Sequence, residues 1–317
     1  IREIIEKRNP KKDLSNIFNV SEEEIATDSS EFYENKNISI LVGDLLWNKD
    51  KVLSYFSNLK IIFGNADFSK LTSAEGLESL QNIKGIASFA CLTSVEGLSS
   101  LQNIGGDANF DRLTSAKGLE SLQNIGGDAY FPRLTSAKGL ESLQSIKRIA
   151  YFNRLTNAEG LNSLQNIGYA ASFSNLTSAE GLNSLQHIGK NAVFDSLTNA
   201  KGLELLQNIG GHAYFYSLIK AEGLESLQHI GKNAYFPSLL NAIGLDSLQI
   251  IEGAATFFSL KSSLGLSKLQ KIGETVLFDN LTDASKLKSL QSVGNTTNQY
   301  VQKIIEKNNQ TNIKHHH

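Results

Sequence analysis

Four of the nine tyrosines, Tyr130, Tyr151, Tyr214 and Tyr235, are separated by whole multiples of 21 residues. The same register places His212 two residues before this column, and Tyr216 and Phe258 two residues after it. Rings with a polar tip combine a large apolar body with a hydrogen-bonding end, and such residues dominate binding hot spots. Their chemistry is recognition, not bond making. Tyrosine also favours strands and stacks on its neighbours, so local propensity is the competing explanation of the column. Another register holds Lys49, Lys70, Cys91, Arg112, Arg133 and Arg154, then changes to Asn175, Ser196, Ser217, Ser238, Ser259 and Asn280. Five cations at strand spacing would span roughly 24 Å, enough to read an acidic protein or a polyanion. Against this, Asp67, Asp107, Asp111 and Asp128 stand in adjacent registers and make a mixed, solvated face an equal reading.

Bond-making chemistry finds little support. Catalysis needs a nucleophile or an acid and base converging in a water-excluded pocket. His187 and His229 share a register two coils apart, about 9.6 Å at strand spacing, too far for one metal ion. Asp107 and Asp128 are neighbours in one register, where like charges repel; calcium held with Asp111 is the sharper reading and a solvated acidic face the bland one. Cys91 has no base paired with it. The expectation is a chain without catalytic residues, cofactor or metal.

The element that must position the tyrosines is the repeat LTSAKGLESLQNIGGDAYFPR, residues 113 to 133, which recurs every 21 residues with its leading leucine at positions from Leu71 to Leu281. A fixed period of this length marks a solenoid, in which each coil buries its apolar face only against its neighbours. Seven registers are apolar: those of Leu113, Ala116, Leu119, Leu122, Ile125, Ala129 and Phe131, the last being Trp47 once and phenylalanine from Phe68 to Phe278. Alternation in GDAYF turns Ala129 and Phe131 inward and Asp128 and Tyr130 outward, which predicts a strand. The Gly118 register reads as a turn, and the Gln123 register as a ladder of side-chain hydrogen bonds.

A formal charge of -2 and a pI near 6.4 supply no general attraction to nucleic acid or anionic membrane. One cysteine excludes internal disulfides, and no apolar run approaches the about 20 residues of a membrane span. A chain that opens on Ile1 without any methionine reads as trimmed, with room for a lost leader. Residues 1–37 are off period, with Ile1, Ile4 and Ile5 at helical spacing and a capping box from Ser21 to Glu24; they read as a helical cap. The solenoid is expected over 38–294, a C-terminal capping segment over 295–314 and a tag remnant at 315–317.

The run GLESLQNIGG resembles the leucine-rich repeat, most closely the receptor L domain variety and its fungal cell-wall relatives, in which L-x-x-I-x-G precedes the strand. The resemblance covers residues 38 to about 294 and departs at the turn after the strand, where the family's asparagine and following leucine are missing. It implies an α/β repeat solenoid: a right-handed superhelix of 21-residue coils with one parallel β-sheet and turns or short helical pieces opposite. It also implies a binding scaffold. The expected function is therefore recognition of a protein partner through Tyr130, Tyr151, His212, Tyr214, Tyr216, Tyr235 and Phe258, with Arg112, Arg133 and Arg154 at the edge. Carbohydrate binding by the same aromatics, or a passive spacer, are the alternatives. A bacterial origin is expected, with the cell surface or secretion favoured over the cytoplasm. Ile219, Leu240, Ile243, Ile250 and Leu264 replace polar residues of earlier copies, so either the C-terminal segment, through Ile304 and Ile305, or a second copy of the chain is expected to cover them.

Overall fold

From Leu113 to Ile125 the apolar residues of a coil fall at every third position, a spacing that selects tight i to i+3 turns over a 3.6-residue helix. The computed structural model describes residues 1–6, 9–52 and 54–314 and shows that outcome. The Leu119 N–H donates to the Ala116 carbonyl at 3.0 Å, and the Leu122 N–H to that of Leu119 at 2.9 Å. Among the described residues, none between Glu34 and Asn298 is helical. The architecture is a parallel β-solenoid of about 21 residues per coil, nearly all sheet, which corrects the α/β expectation. Twenty-one residues that must make two strands and a run of three-residue turns leave no room for a helix.

The chain divides into two compact units, Ile1–Tyr151 and Phe152–His317. In the first, one parallel ladder runs from Ile25–Ala26 through Ile40–Leu41, Ile61–Ile62 and Asn82–Ile83 to Ser145–Ile146. A second runs from Leu45–Leu46 through Ala66–Asp67 to Ala150–Tyr151. In the second unit the corresponding ladders begin at Asn166–Ile167 and Ala171–Ser172 and merge in the long strand Lys271–Leu277. Register is in step at one-coil spacing along these ladders, Ala213 pairing with Ala234 and Tyr214 with Tyr235, and it shifts between Ile272 and Thr275 where the long strand meets Ser292–Asn295.

Each unit is filled by its own column of phenylalanines. Phe68, Phe89, Phe110 and Phe131 stack at centroid distances of 5.3, 5.2 and 4.9 Å. In the other unit the stack runs from Phe152 to Phe278, with every ring pair within 18° of parallel. All these rings are buried. Offset stacking at such distances adds about 0.5–1.5 kcal/mol per pair beyond area burial. The turn glycines have a double requirement: Gly223 holds φ at +104°, and a Cβ there would run into the Ala200 carbonyl of the preceding coil.

The ends are closed differently. Helices Arg2–Ile5 and Pro10–Phe18 and two 3-10 turns, Glu22–Glu24 and Ser29–Tyr33, precede or flank the first rung. The Ser21 N–H donates to Glu24 Oε2 at 2.9 Å, so the capping box closes a 3-10 turn. The helix Gln299–Lys314 seats Val301 in the core and uses Asn308 Nδ2 to satisfy the Leu287 and Leu290 carbonyls at 3.0 and 2.8 Å. It seals the last coil. The histidines expected to be a tag, His315, His316 and His317, lie outside the described residues. Among the described residues no helix is long and apolar enough to cross a membrane.

Candidate functional site

In the second unit, parallel pairing at one-coil register brings four of the singled-out side chains together. The Tyr214 and Tyr235 rings stack at 5.0 Å and 3°. Tyr216 lies 5.9 Å from the first and 5.8 Å from the second, and His212 lies 5.7 and 6.5 Å from the same two. Strand alternation explains the grouping: Ala213 and Phe215 point inward and are buried, so Tyr214 and Tyr216 must face out. Tyr216 is 43% exposed, and Tyr214 and Tyr235 are half-buried.

The shelf is held from below by a chain of hydrogen bonds. Asn191 Oδ1 accepts the His212 N–H at 3.0 Å, His212 Nδ1 accepts the Asn233 N–H at 3.3 Å, and Asn233 Oδ1 accepts the Ala254 N–H at 3.0 Å. Asn233 Nδ2 then donates to the Tyr235 hydroxyl at 2.9 Å. His212 is thus a rung of the scaffold, and its bond fixes the tautomer with the proton on Nε2. Burial, with Tyr235 and Asp195 nearby, pushes the Tyr214 hydroxyl above its ordinary value; burial, with Tyr235, Tyr214 and Asp195, does the same to Tyr216. These hydroxyls remain protonated donors at neutral pH.

Asp195 stands one coil before Tyr216 in the same register and was not singled out by residue type. Its Oδ1 is enclosed and has no hydrogen-bond partner, as is Asn153 Oδ1 two coils earlier in that register. Burial raises the Asp195 carboxyl above its ordinary 3.8. The other aromatic of the register, Phe258, is 39% exposed.

In the first unit Tyr130 and Tyr151 form a separate edge-to-face pair at 5.4 Å, Tyr130 being 38% exposed. Arg112 and Arg133 are exposed there, as is Arg154 in the second unit. The hydroxyl half of their register is structural: Ser196 and Ser238 donate to the Ser174 and Tyr216 carbonyls at 2.7 and 2.6 Å. The aspartates are structural too. Asp107 Oδ1 accepts the Asp128 N–H at 2.7 Å, and Asp128 Oδ1 accepts the Ile149 N–H at 3.1 Å while pairing with Arg148 Nε at 3.5 Å. Backbone donors offset the repulsion of the stacked carboxylates, and among the described residues no cluster of three metal-ligating side chains occurs. The side-chain ladder forms one position later than expected: Asn103 and Asn124 each donate to the preceding asparagine at 2.9 Å, whereas the Gln123 register bonds through its backbone.

Of the five apolar replacements, Ile219, Leu240, Ile243 and Leu264 are exposed, the first two on bonded neighbouring coils. Ile250 lies apart from them, paired in a strand with His229 and Lys271. Asn298, just before the C-terminal helix, donates to the Phe278 and Leu281 carbonyls, and Asn308 and Asn309 within it to those of Leu287, Leu290 and Gln291, so the expected cover lies at the coil end and not over this group.

One cluster escaped the repeat-based reading. Tyr33 stacks on Trp47 at 6.1 Å, Tyr55 lies 5.4 and 5.7 Å from these two, and Lys49 Nζ sits 5.5, 5.4 and 5.8 Å from the three ring centroids. Three aromatics and three lysines within residues 33 to 55 were the available signal. Compared with known proteins, the chain matches no family model and no curated protein.

Proposed function

We propose that this chain is a non-catalytic recognition scaffold of leucine-rich-repeat-like kind that binds a protein partner through the shelf of Tyr214, Tyr216, Tyr235 and His212. The observation that carries the reading is the stacking of Tyr214 on Tyr235 at 5.0 Å and 3° on a hydrogen-bonded base. Fixed aromatic side chains lose little conformational freedom on binding, which is what makes such residues effective anchors. The same stacking argues against carbohydrate as the ligand, because the two rings spend one face each on each other. Tyr130 with Tyr151 is a second, smaller contact point in this reading, and Phe258 and the exposed arginines extend the surface. A bacterial cell-surface or secreted setting belongs to the same proposal.

The test is capture from a host lysate followed by mass spectrometry, with wild type beside a Tyr214→Ala, Tyr216→Ala, Tyr235→Ala variant whose circular dichroism is unchanged. A protein retained by wild type and lost by the variant is the expected result. Equal recovery by both proteins would refute the shelf as the binding face, and competition by free glycans would move the reading to carbohydrate.

A further inference from the structure

The shelf has an electrostatic asymmetry that its aromatic content does not explain. Asp195 stands one coil before Tyr216 in the same outward register, where its carbonyl accepts the Ser217 N–H at 3.1 Å, and its carboxylate helps raise the Tyr214 and Tyr216 hydroxyls. Among the described residues it forms no ion pair, and its enclosed Oδ1 receives no hydrogen bond. The groups that hold the shelf from below are committed: His212 Nδ1 accepts the Asn233 N–H, and Asn233 uses its amide on Tyr235 and Ala254. The basic residues nearest in sequence to Asp195 and the rings, Lys190, Lys201, Lys220 and Lys232, are all exposed, and none forms an ion pair with Asp195.

A partly exposed carboxylate without an ion pair, beside aromatic rings, makes a site for a donor that carries positive charge. The ring faces attract a cation through their quadrupole, and a carboxylate removed from water gains most from a charged donor. A neutral donor would satisfy the oxygen and leave the charge uncompensated. We infer that the partner presents a basic side chain, arginine or lysine, which lies against the tyrosine rings and pairs with Asp195. This rests on the recognition reading above and narrows it to a basic peptide segment. Arginine matches the site better, because its planar guanidinium stacks on rings and offers several donors in one plane.

The experiment is selection of a random-peptide display library on immobilised wild-type protein, counter-selected on the Tyr214→Ala, Tyr235→Ala variant. Selected peptides are then measured against wild type, Asp195→Asn and Asp195→Glu, and again with each arginine replaced by neutral citrulline. The expected outcome is enrichment of arginine or lysine, at least about tenfold weaker binding to Asp195→Asn or on citrulline substitution, and substantial recovery with Asp195→Glu. Circular dichroism of each variant separates loss of charge from loss of fold. Tyrosine-dependent peptides that lack basic residues, or that bind Asp195→Asn as well as wild type, would overturn the cation assignment and leave the recognition reading standing. No peptide that depends on the tyrosines would overturn both.

Discussion

The two aromatic clusters differ in where their charge comes from. At Tyr33, Trp47 and Tyr55 the chain supplies its own cation, with Lys49 Nζ within 5.8 Å of all three ring centroids and Lys36 Nζ 5.6 Å from Tyr55. At Tyr214, Tyr216 and Tyr235 it supplies the Asp195 carboxylate, and among the described residues no lysine or arginine lies over these rings. The first cluster also closes on itself: Trp47 is only 3% exposed, and its Nε1 donates to the Lys51 carbonyl at 2.9 Å. Both clusters use the same residue types, so composition does not separate a structural cluster from a binding surface. What separates them is whether the polar and charged groups are already paired.

The comparison breaks most visibly if the support beneath each cluster is removed. Phe215 is buried between the outward Tyr214 and Tyr216 and stacks on Phe194 and Phe236 at 5.3 and 5.2 Å. Phe215→Ala and Trp47→Ala should each cost about 3–5 kcal/mol in urea denaturation. Solenoid stability is a sum of neighbour terms, so hydrogen exchange should show each loss concentrated in the coils beside the substitution. Only Phe215→Ala should also abolish ligand capture by the shelf. Loss of capture in Trp47→Ala would show that the first cluster is part of the binding surface after all.

Charge sharpens the contrast through opposite responses to pH. Burial alone would raise Glu31, which sits in the turn that carries Tyr33, but the Thr27 amide, Lys11 at 3.0 Å and the Thr27 hydroxyl bring it below its ordinary 4.5. A carboxyl lowered by folding stabilises the protein above its unfolded pKa, and that contribution is lost as pH falls through the lowered value. Glu31→Gln should therefore be less stable than wild type at neutral pH and converge with it in acid. Burial raises Asp195 instead, so wild type loses stability as pH climbs from 3.8 through the folded value. Asp195→Asn should be the more stable protein at neutral pH, with the gap closing as pH falls toward 3.8. Denaturation midpoints measured across pH decide both signs.

Much of the scaffold is readable from spacing alone, because a core register must be apolar in every coil to be stacked at all. Leu122, Ile125 and Phe131 with their equivalents are buried as the repeat requires, except for half-buried Val293 in the last coil. Hydrogen-bond assignments were less legible, since they depend on which residue of a short strand faces out. The glutamine at 123 recurs more faithfully than Asn124, yet the asparagines join side chain to side chain. Asp128 illustrates the same limit: a carboxylate stacked on another looks repulsive until the backbone N–H of the next coil is placed against it at 3.1 Å. The tyrosine shelf was visible as a register, whereas Asp195 was not, because nothing in an Asn, Ser, Asp, Tyr sequence of register residues reveals which oxygen will lack a donor. Tyr33 lies outside the period and was invisible to it.

A smaller effect tests the scaffold role of His212. His212→Ala removes the acceptor of the Asn233 N–H and should cost about 1 kcal/mol, while loosening Tyr235 through Asn233. His212→Asn should restore most of it, because Asn191 and Asn233 perform the same task in the coils on either side. A urea series on the two variants distinguishes this from a surface histidine, for which both substitutions would be neutral.

The smallest change asks whether Lys49 completes its cluster or merely passes over it. An exposed ammonium over aromatic rings contributes about 0.5–1 kcal/mol, so Lys49→Ala should lower stability by about that amount in low salt. Stability alone is a weak discriminator at this size, but Trp47 is the single tryptophan of the chain and reports on its own surroundings. Removing the cation that lies 5.4 Å from its centroid should shift its emission, and Lys49→Arg should return it toward wild type. Unchanged emission in Lys49→Ala would mean that the rings do not hold the lysine in solution. The first cluster would then be as open to an outside cation as the second, and the distinction between the two would have to rest on burial of Trp47 alone.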